Sequence, residues 1–181
     1  PSIESHSVPT TTSVKPVPAT AISGTELRAA ASHFPTGVAI VSTLGHIGQP
    51  VGCTISSFLS VSLDPPIVAV SLSRRSSTAE QVIARGSFGI SVLSSTQRGI
   101  AHVFASRDVD HDQRFAGVHW RAGSSGVPLL ENALSSLDCD VQEVVAAGDH
   151  YLVLGAVTSL FAAGWGTPLV HHQGTMGSLH R

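Results

Sequence analysis

A mainly β protein of the α+β type, a barrel carrying short peripheral helices, is what this 181-residue sequence predicts. Strand-like runs of β-branched and alternating apolar residues recur along the chain, with Gly and Pro turn signals between them. Helical patterns are few and short. Hydrophobic residues make up 42% of the chain and charged residues 12%, enough for one substantial core and too little length for two.

Each element follows from its own residues. Positions 1–22 are rich in Pro, Ser and Thr with little to bury, and read as a disordered arm ahead of a domain over 23–181. Thr25 is placed to cap a helix on which Leu27, Ala30, Ala31 and Phe34 recur at helical spacing, before Pro35 and Gly37 break it. Strands are expected at Val38–Thr43, Val51–Ser56, Ile67–Leu72 and Phe88–Leu93, the first two joined by a hairpin loop with two glycines. Ser77-Thr78-Ala79-Glu80 has capping-box spacing for a helix stopped by Gly86, and Ser94-Ser95-Thr96-Gln97 opens another that runs to about Phe104. The polar stretch from Ser106 to Pro128 reads as an irregular excursion. Leu137, Cys139 and Val141 alternate with Asp138, Asp140 and Gln142 as in a half-buried strand, and His150–Ala163 is apolar enough for a central one.

Several function classes are excluded by what is absent. A net charge of −2, with Lys15 the only lysine, gives no basic field for nucleic acid or an anionic membrane. No apolar run approaches the roughly 20 residues that span a bilayer. The N-terminal residues have no charged segment followed by an apolar one, and Cys53 and Cys139 have no framework spacing. The expectation is a cytoplasmic protein with reduced thiols. No G-x-G-x-x-G follows a strand and no phosphate-loop motif occurs, so a doubly wound dinucleotide domain is not expected. Asp108, Asp110 and Asp112 resemble a calcium loop, but Gln113 stands where its glycine belongs and His119 where its glutamate belongs. The ten histidines are scattered; only His171 and His172 adjoin, and strand neighbours point to opposite faces, so no metal site is expected. Gly123-Ser124-Ser125-Gly126 is not a nucleophile elbow.

Chemistry concentrates in Val51–Arg75, a hydroxyl-rich apolar run broken by Asp64-Pro65-Pro66. Short hydroxyls along a strand suit the polar edge of a planar ligand: Thr54, Ser56 and Ser57 supply donors, while Val38 and Ile55 supply apolar packing. The same hydroxyls also fit a second use, filling a tightly packed sheet surface. Ser71, Ser73, Arg74, Ser76, Ser77 and Thr78 lie where a strand ends and a helix begins, an arrangement suited to a phosphate or pyrophosphate, or simply to a helix cap with solvated arginines. His150 follows Gly148-Asp149 at a turn into a long strand, a place that also suits a turn histidine bonded to Asp149.

Taken together, Phe34–Thr43 (FPTGVAIVST), Val51–Arg75, Gly148-Asp149-His150 and Pro168-Leu169-Val170 resemble the flavin reductase family, in matching order from about Leu27 onward. The resemblance implies a split β-barrel, a homodimer, and a reaction in which NADH, less often NADPH, passes hydride to FAD or FMN. The reduced flavin then serves a partner flavin-dependent monooxygenase. It further implies flavin contacts from Thr36, Gly37, Val38 and Cys53, a nicotinamide-orienting role for His150, and cofactor contacts from Phe104-Ala105, Arg114-Phe115 and His171. The family's aromatic residue near the C-terminus has no counterpart at Met176, and His171-His172-Gln173 replaces its usual tyrosine-and-arginine-like run. Two other readings stay open: a split-barrel FMN enzyme acting directly on a small molecule, and a flavin-binding module without catalysis.

Overall fold

The computed structural model describes residues 22–106, 108–110 and 113–179. Most of the expected arm, 1–21, lies outside the described residues. The chain divides into two units between Ala31 and Ser32. In the first, helix α1 (Gly24–Ala31) is capped by Ser23 and not by the expected Thr25. The Glu26 N–H donates to Ser23 Oγ at 3.2 Å while the Ser23 N–H donates to Glu26 Oε2 at 2.7 Å. Ser-x-x-Glu is the stronger signal because it satisfies two donors reciprocally. The helix ends at Ala31, so Phe34 is not on its face.

The second unit is built on a seven-stranded antiparallel sheet. Its strands are β2 (Ala39–Leu44), β3 (Pro50–Ile55), β4 (Leu59–Leu63), β5 (Pro66–Ser73), β6 (Ser87–Val92), β9 (Ser135–Ala147) and β10 (His150–Ala162). They lie in the order β3-β2-β6-β9-β10-β5-β4. A smaller sheet joins β1 (Thr36–Gly37), β11 (Leu169–His172) and β12 (Thr175–Ser178), and a hairpin joins β7 (Trp120–Ala122) to β8 (Pro128–Leu130). Helices α2 (Ser77–Arg85) and α3 (Arg98–Ala105) complete the unit.

The sheet curls. Ile55 from edge strand β3 and Val68, Val70 and Leu72 from β5, near the other edge, share one buried cluster with Phe88, Ile90 and Val153. A flat sheet of seven strands would hold its edges some 28 Å apart at about 4.7 Å per strand. Ser57 joins the two ends: its hydroxyl donates to the Ser71 carbonyl and accepts from the Ser71 N–H, both at 3.0 Å. Successive residues of β2 face two cores, Ala39 and Val41 this first cluster, Ile40 a second one with Leu93, Phe104, Phe115 and Leu169. That is why Val38–Val41 is an unbroken apolar run. Gly155 lets β10 pass Phe88, whose ring carbon Cζ would stand 2.5 Å from a Cβ there.

Three local expectations are corrected. Ser76, not Ser77, occupies the cap position of α2, and the Ser77–Glu80 capping box does not form. Gly86 does end this helix, at φ 74°. The box does form at Ser94 and Gln97, where the Ser94 N–H donates to Gln97 Oε1 at 3.1 Å. Asp138 does not alternate outward but is buried, accepting from the Ser125 N–H at 2.9 Å and the Ser125 hydroxyl at 2.6 Å. The β7–β8 hairpin that carries Ser124 and Ser125 covers this part of β9, so the stretch from Ser106 to Pro128 is not wholly irregular.

Candidate flavin site

The ends of β3 and β5, the C-terminal end of α3 and the start of β10 enclose a cleft of about 720 Å³. Register brings them together: β10 pairs with β5 so that His150 stands opposite Ser73. The Arg74 N–H donates to the Asp149 carbonyl at 3.0 Å, tying the Gly148-Asp149 turn to the end of β5. Of the residues singled out from sequence, Cys53, Thr54, Ile55, Ser56, Ser57, Ser71, Ser73, Ser76, Phe104, Ala105, Arg114 and His150 line this one cleft.

Not all the hydroxyls face outward with a free proton. Thr54 donates to the Ala101 carbonyl at 2.7 Å, fastening β3 to α3. Ser57 is spent on the Ser71 backbone. Ser73 acts instead as an acceptor, from the Arg75 N–H at 3.3 Å, and its own proton is not used in that bond. Each of the two meanings read from this stretch is therefore realised, in different residues: Thr54 and Ser57 fix the sheet, while Ser56 is exposed in the cleft.

The arginine-serine cluster divides. Arg75 and Ser76 line the cleft, whereas Arg74 and Ser77 turn to a neighbouring concavity of about 540 Å³ that shares those two residues. Arg74 lies 5.3 Å from the centre of the Tyr151 ring, a cation–π contact, and its Nη1 donates to the Gly148 carbonyl at 3.4 Å. Thr78 is fully buried at the start of α2, and neither its hydroxyl nor that of Ser77 has a hydrogen-bond partner. Burial pushes the Cys53 thiol up, while the Thr78 hydroxyl, the Arg114 charge and the Ser76 hydroxyl pull it down. The Thr78 influence is proximity to sulfur without a formed hydrogen bond.

His150 is half-exposed, and its Nδ1 lies 2.8 Å from Asp149 Oδ1, which fixes the ring's orientation. That hydrogen bond, with the imidazole's charge second, holds the Asp149 carboxyl below its ordinary value. Arg114 is 5% exposed; its Nη1 donates to the Gly52 carbonyl at 3.0 Å and its Nη2 to the Ser106 carbonyl at 2.6 Å.

Other expected contacts lie elsewhere. Thr36 and Gly37 pair with His171 and Val170 in the smaller sheet, so His171 stands beside Thr36 and not in the cleft. Val38 is buried in the second core, where its N–H donates to the Leu169 carbonyl at 3.1 Å. Phe115 packs edge-on against Phe104, ring centres 4.8 Å apart, behind the cleft wall. Leu72, Arg75, Ser106, Val109 and Asp110 line the cleft without having been singled out as site residues. Arg75 was legible as the last residue of the hydroxyl-rich run; Ser106, Val109 and Asp110 sit in a loop that no sequence pattern directs inward. Among the described residues no group of three His, Cys, Asp or Glu side chains is placed to hold a metal ion.

The profile of the flavin reductase like domain matches residues 31–180. The chain belongs to the flavin reductase family. Its activity is that class of oxidoreductase, passing reducing equivalents to flavin. A flavin reductase of Pseudomonas putida is 37% identical over 150 residues, covering 83% of this chain and 86% of its own. An NADH-dependent FMN reductase of Streptomyces nodosus subsp. asukaensis is 41% identical over 160 residues, covering 86% of this chain and 84% of its own. A longer relative from Rhizobium meliloti is 41% identical over 138 residues, and there the match spans 43% of its length. Among solved structures, the NADH:FAD oxidoreductase of Streptomyces globisporus in complex with NAD and FAD fragments superposes with a TM-score of 0.80 at 32% identity, covering 86% of this chain and 92% of its own. The mainly β architecture expected from sequence is the one these reductases share.

Proposed function

We propose that this reductase binds FAD or FMN in the cleft, takes hydride from NADH in preference to NADPH, and releases the reduced flavin to a separate flavin-dependent monooxygenase. The observation that carries the reading is the convergence of a hydroxyl-bearing strand, a helix N-terminus with arginines, and His150 on one cleft. The residues present fit a flavin. Phe104, Ala105 and Ile55 offer apolar packing for a ring, and Ser56 a free hydroxyl at its polar edge. The orphaned hydroxyls of Ser77 and Thr78 mark the start of α2 as short of a partner, where a phosphate would be welcome. Bound flavin supplies the hydride-accepting chemistry, and the protein supplies position and field.

The chain's own residues do the positioning. His150, held by Asp149, is a half-exposed residue of the cleft lining, where it orients a nicotinamide. Holding two rings at about 3–3.5 Å turns a bimolecular step into a near-attack arrangement. A relative named for FMN and a structure named for FAD leave both flavins in the proposal. No helix among the described residues is long and apolar enough to cross a membrane, and both thiols are free, which supports a cytoplasmic setting. The proposed body is 23–181, with 1–22 an arm, and the proposed assembly is a homodimer.

NADH oxidation, followed by absorbance with FAD, FMN or riboflavin added in turn, tests the proposal. Flavin-dependent turnover is expected, and the order of rates fixes the preferred flavin. No turnover with any flavin, from NADH or NADPH, would overturn it.

A further inference from the structure

Arg114 is a buried cation that forms no ion pair among the described residues. It is 5% exposed. Two of its nitrogens donate to the Gly52 and Ser106 carbonyls, but Nε is buried and has no partner. Asp110 lines the same cleft without forming a pair. Burial lowers the guanidinium's proton affinity, and the neighbouring Cys53 thiol works the other way. A buried ion is retained at a cost unless something compensates it.

The groups around it say what that something is. Cys53, Phe104, Ala105 and Val109 line the cleft with it, beside Ser106 and Asp110, and offer apolar surface to a ring. The phosphate-like setting lies at the start of α2, with its own arginines, Arg74 and Arg75. The reaction's charge balance supplies the rest. Hydride added to a neutral flavin ring leaves a monoanion, as the C–H bond of the nicotinamide breaks, a new N–H bond forms and the nicotinamide becomes cationic.

We propose that Arg114 is the charge-compensating residue of the site, pairing with the anionic ring of the reduced flavin and thereby favouring the product over the oxidised substrate. The assignment rests on the functional reading above. It predicts that the cleft binds reduced flavin at least tenfold more tightly than oxidised flavin. For a two-electron couple, tenfold corresponds to raising the bound potential by about 30 mV.

The test uses riboflavin, which has no phosphate, and measures anaerobic binding of its oxidised and dithionite-reduced forms to the full chain. The wild type should prefer the reduced form; equal or weaker binding of that form overturns the assignment without any variant. Arg114→Gln, checked for folding by thermal melting, should lose the preference chiefly through weaker binding of reduced riboflavin. Arg114→Lys, which keeps the charge, should retain most of it. Equal losses for both redox forms in Arg114→Gln would reduce the residue to an anchor for Gly52 and Ser106 and overturn the proposal. Loss of FMN binding with riboflavin binding unchanged would assign Arg114 to the phosphate, and also overturn it. Absence of binding by the wild type in either redox state, with FMN as with riboflavin, would instead remove the functional reading itself.

Discussion

At the scale of single residues, His150 is tied to its turn, and the turn is tied to β5 through Arg74. Replacing it removes a side chain from the cleft lining and leaves the backbone pairing of β10 with β5 in place. His150→Ala is expected to raise the Michaelis constant for NADH several-fold while flavin affinity changes less than twofold; steady-state kinetics beside flavin titration separates the two. Equal losses would take His150 off the nicotinamide face. Cys139 makes a different prediction. Its thiol is pushed up to about 12 from an ordinary 9.0, by burial first and by the Asp138 and Asp140 carboxylates second. Because the folded value exceeds the unfolded one, the resulting stability is complete below about pH 9 and is lost as pH rises toward 12. Cys53, also raised by burial, acts in the same direction. Denaturant midpoints should therefore fall on the alkaline side, less steeply in Cys139→Ala; identical slopes would show that Cys139 takes no part.

Among elements, the join between the two ends of the sheet is the most informative. One hydroxyl from Ser57 stands in for a pair of ladder hydrogen bonds to Ser71, holding β3 and β5 at the spacing the cleft needs. Ser57→Ala leaves the Ser71 N–H and carbonyl without that partner, and is expected to cost about 1–3 kcal/mol in denaturant unfolding. A loss below about 0.5 kcal/mol would mean that core packing alone closes the curl. A second fastening, Thr54 to the Ala101 carbonyl, joins β3 to α3. The element boundaries themselves were largely legible. Gly86 and the Ser94–Gln97 box announce the helix ends because each satisfies backbone groups locally. Ser77 misled because spacing alone does not reveal that Ser76 already holds the extended conformation of a cap, φ −83° and ψ 125°. Asp138 misled because its partners, Ser124 and Ser125, arrive from a hairpin more than ten positions away.

For the whole molecule, the open question is the second copy. Strand β4 is the sheet's edge and leaves Leu59, Val61 and Leu63 exposed, at 59%, 47% and 88%. An apolar edge strand with unpaired backbone is a pairing surface that proteins cover or charge. Light scattering of the full chain is expected to give the mass of two copies, and Val61→Asp to shift it toward one. A wild-type monomer at micromolar concentration would remove the homodimer from the proposal.

The sequence alone determined the β-rich class, six of the seven strands of the main sheet and the approximate address of the cleft. Those features depend on local periodicity, turn chemistry and an unusual density of hydroxyls, all written along neighbouring residues. Tertiary structure decided which hydroxyls face the cleft. Thr54 and Ser57 lie in the same short run as Ser56, yet their protons go to Ala101 and Ser71, partners 47 and 14 positions away. It also placed Val38, Phe115 and His171 outside the cleft and brought in Arg75, Ser106, Val109 and Asp110. A residue's type and spacing say what it can bond. Only the curl of the sheet and the register of β10 on β5 set which partner it meets first.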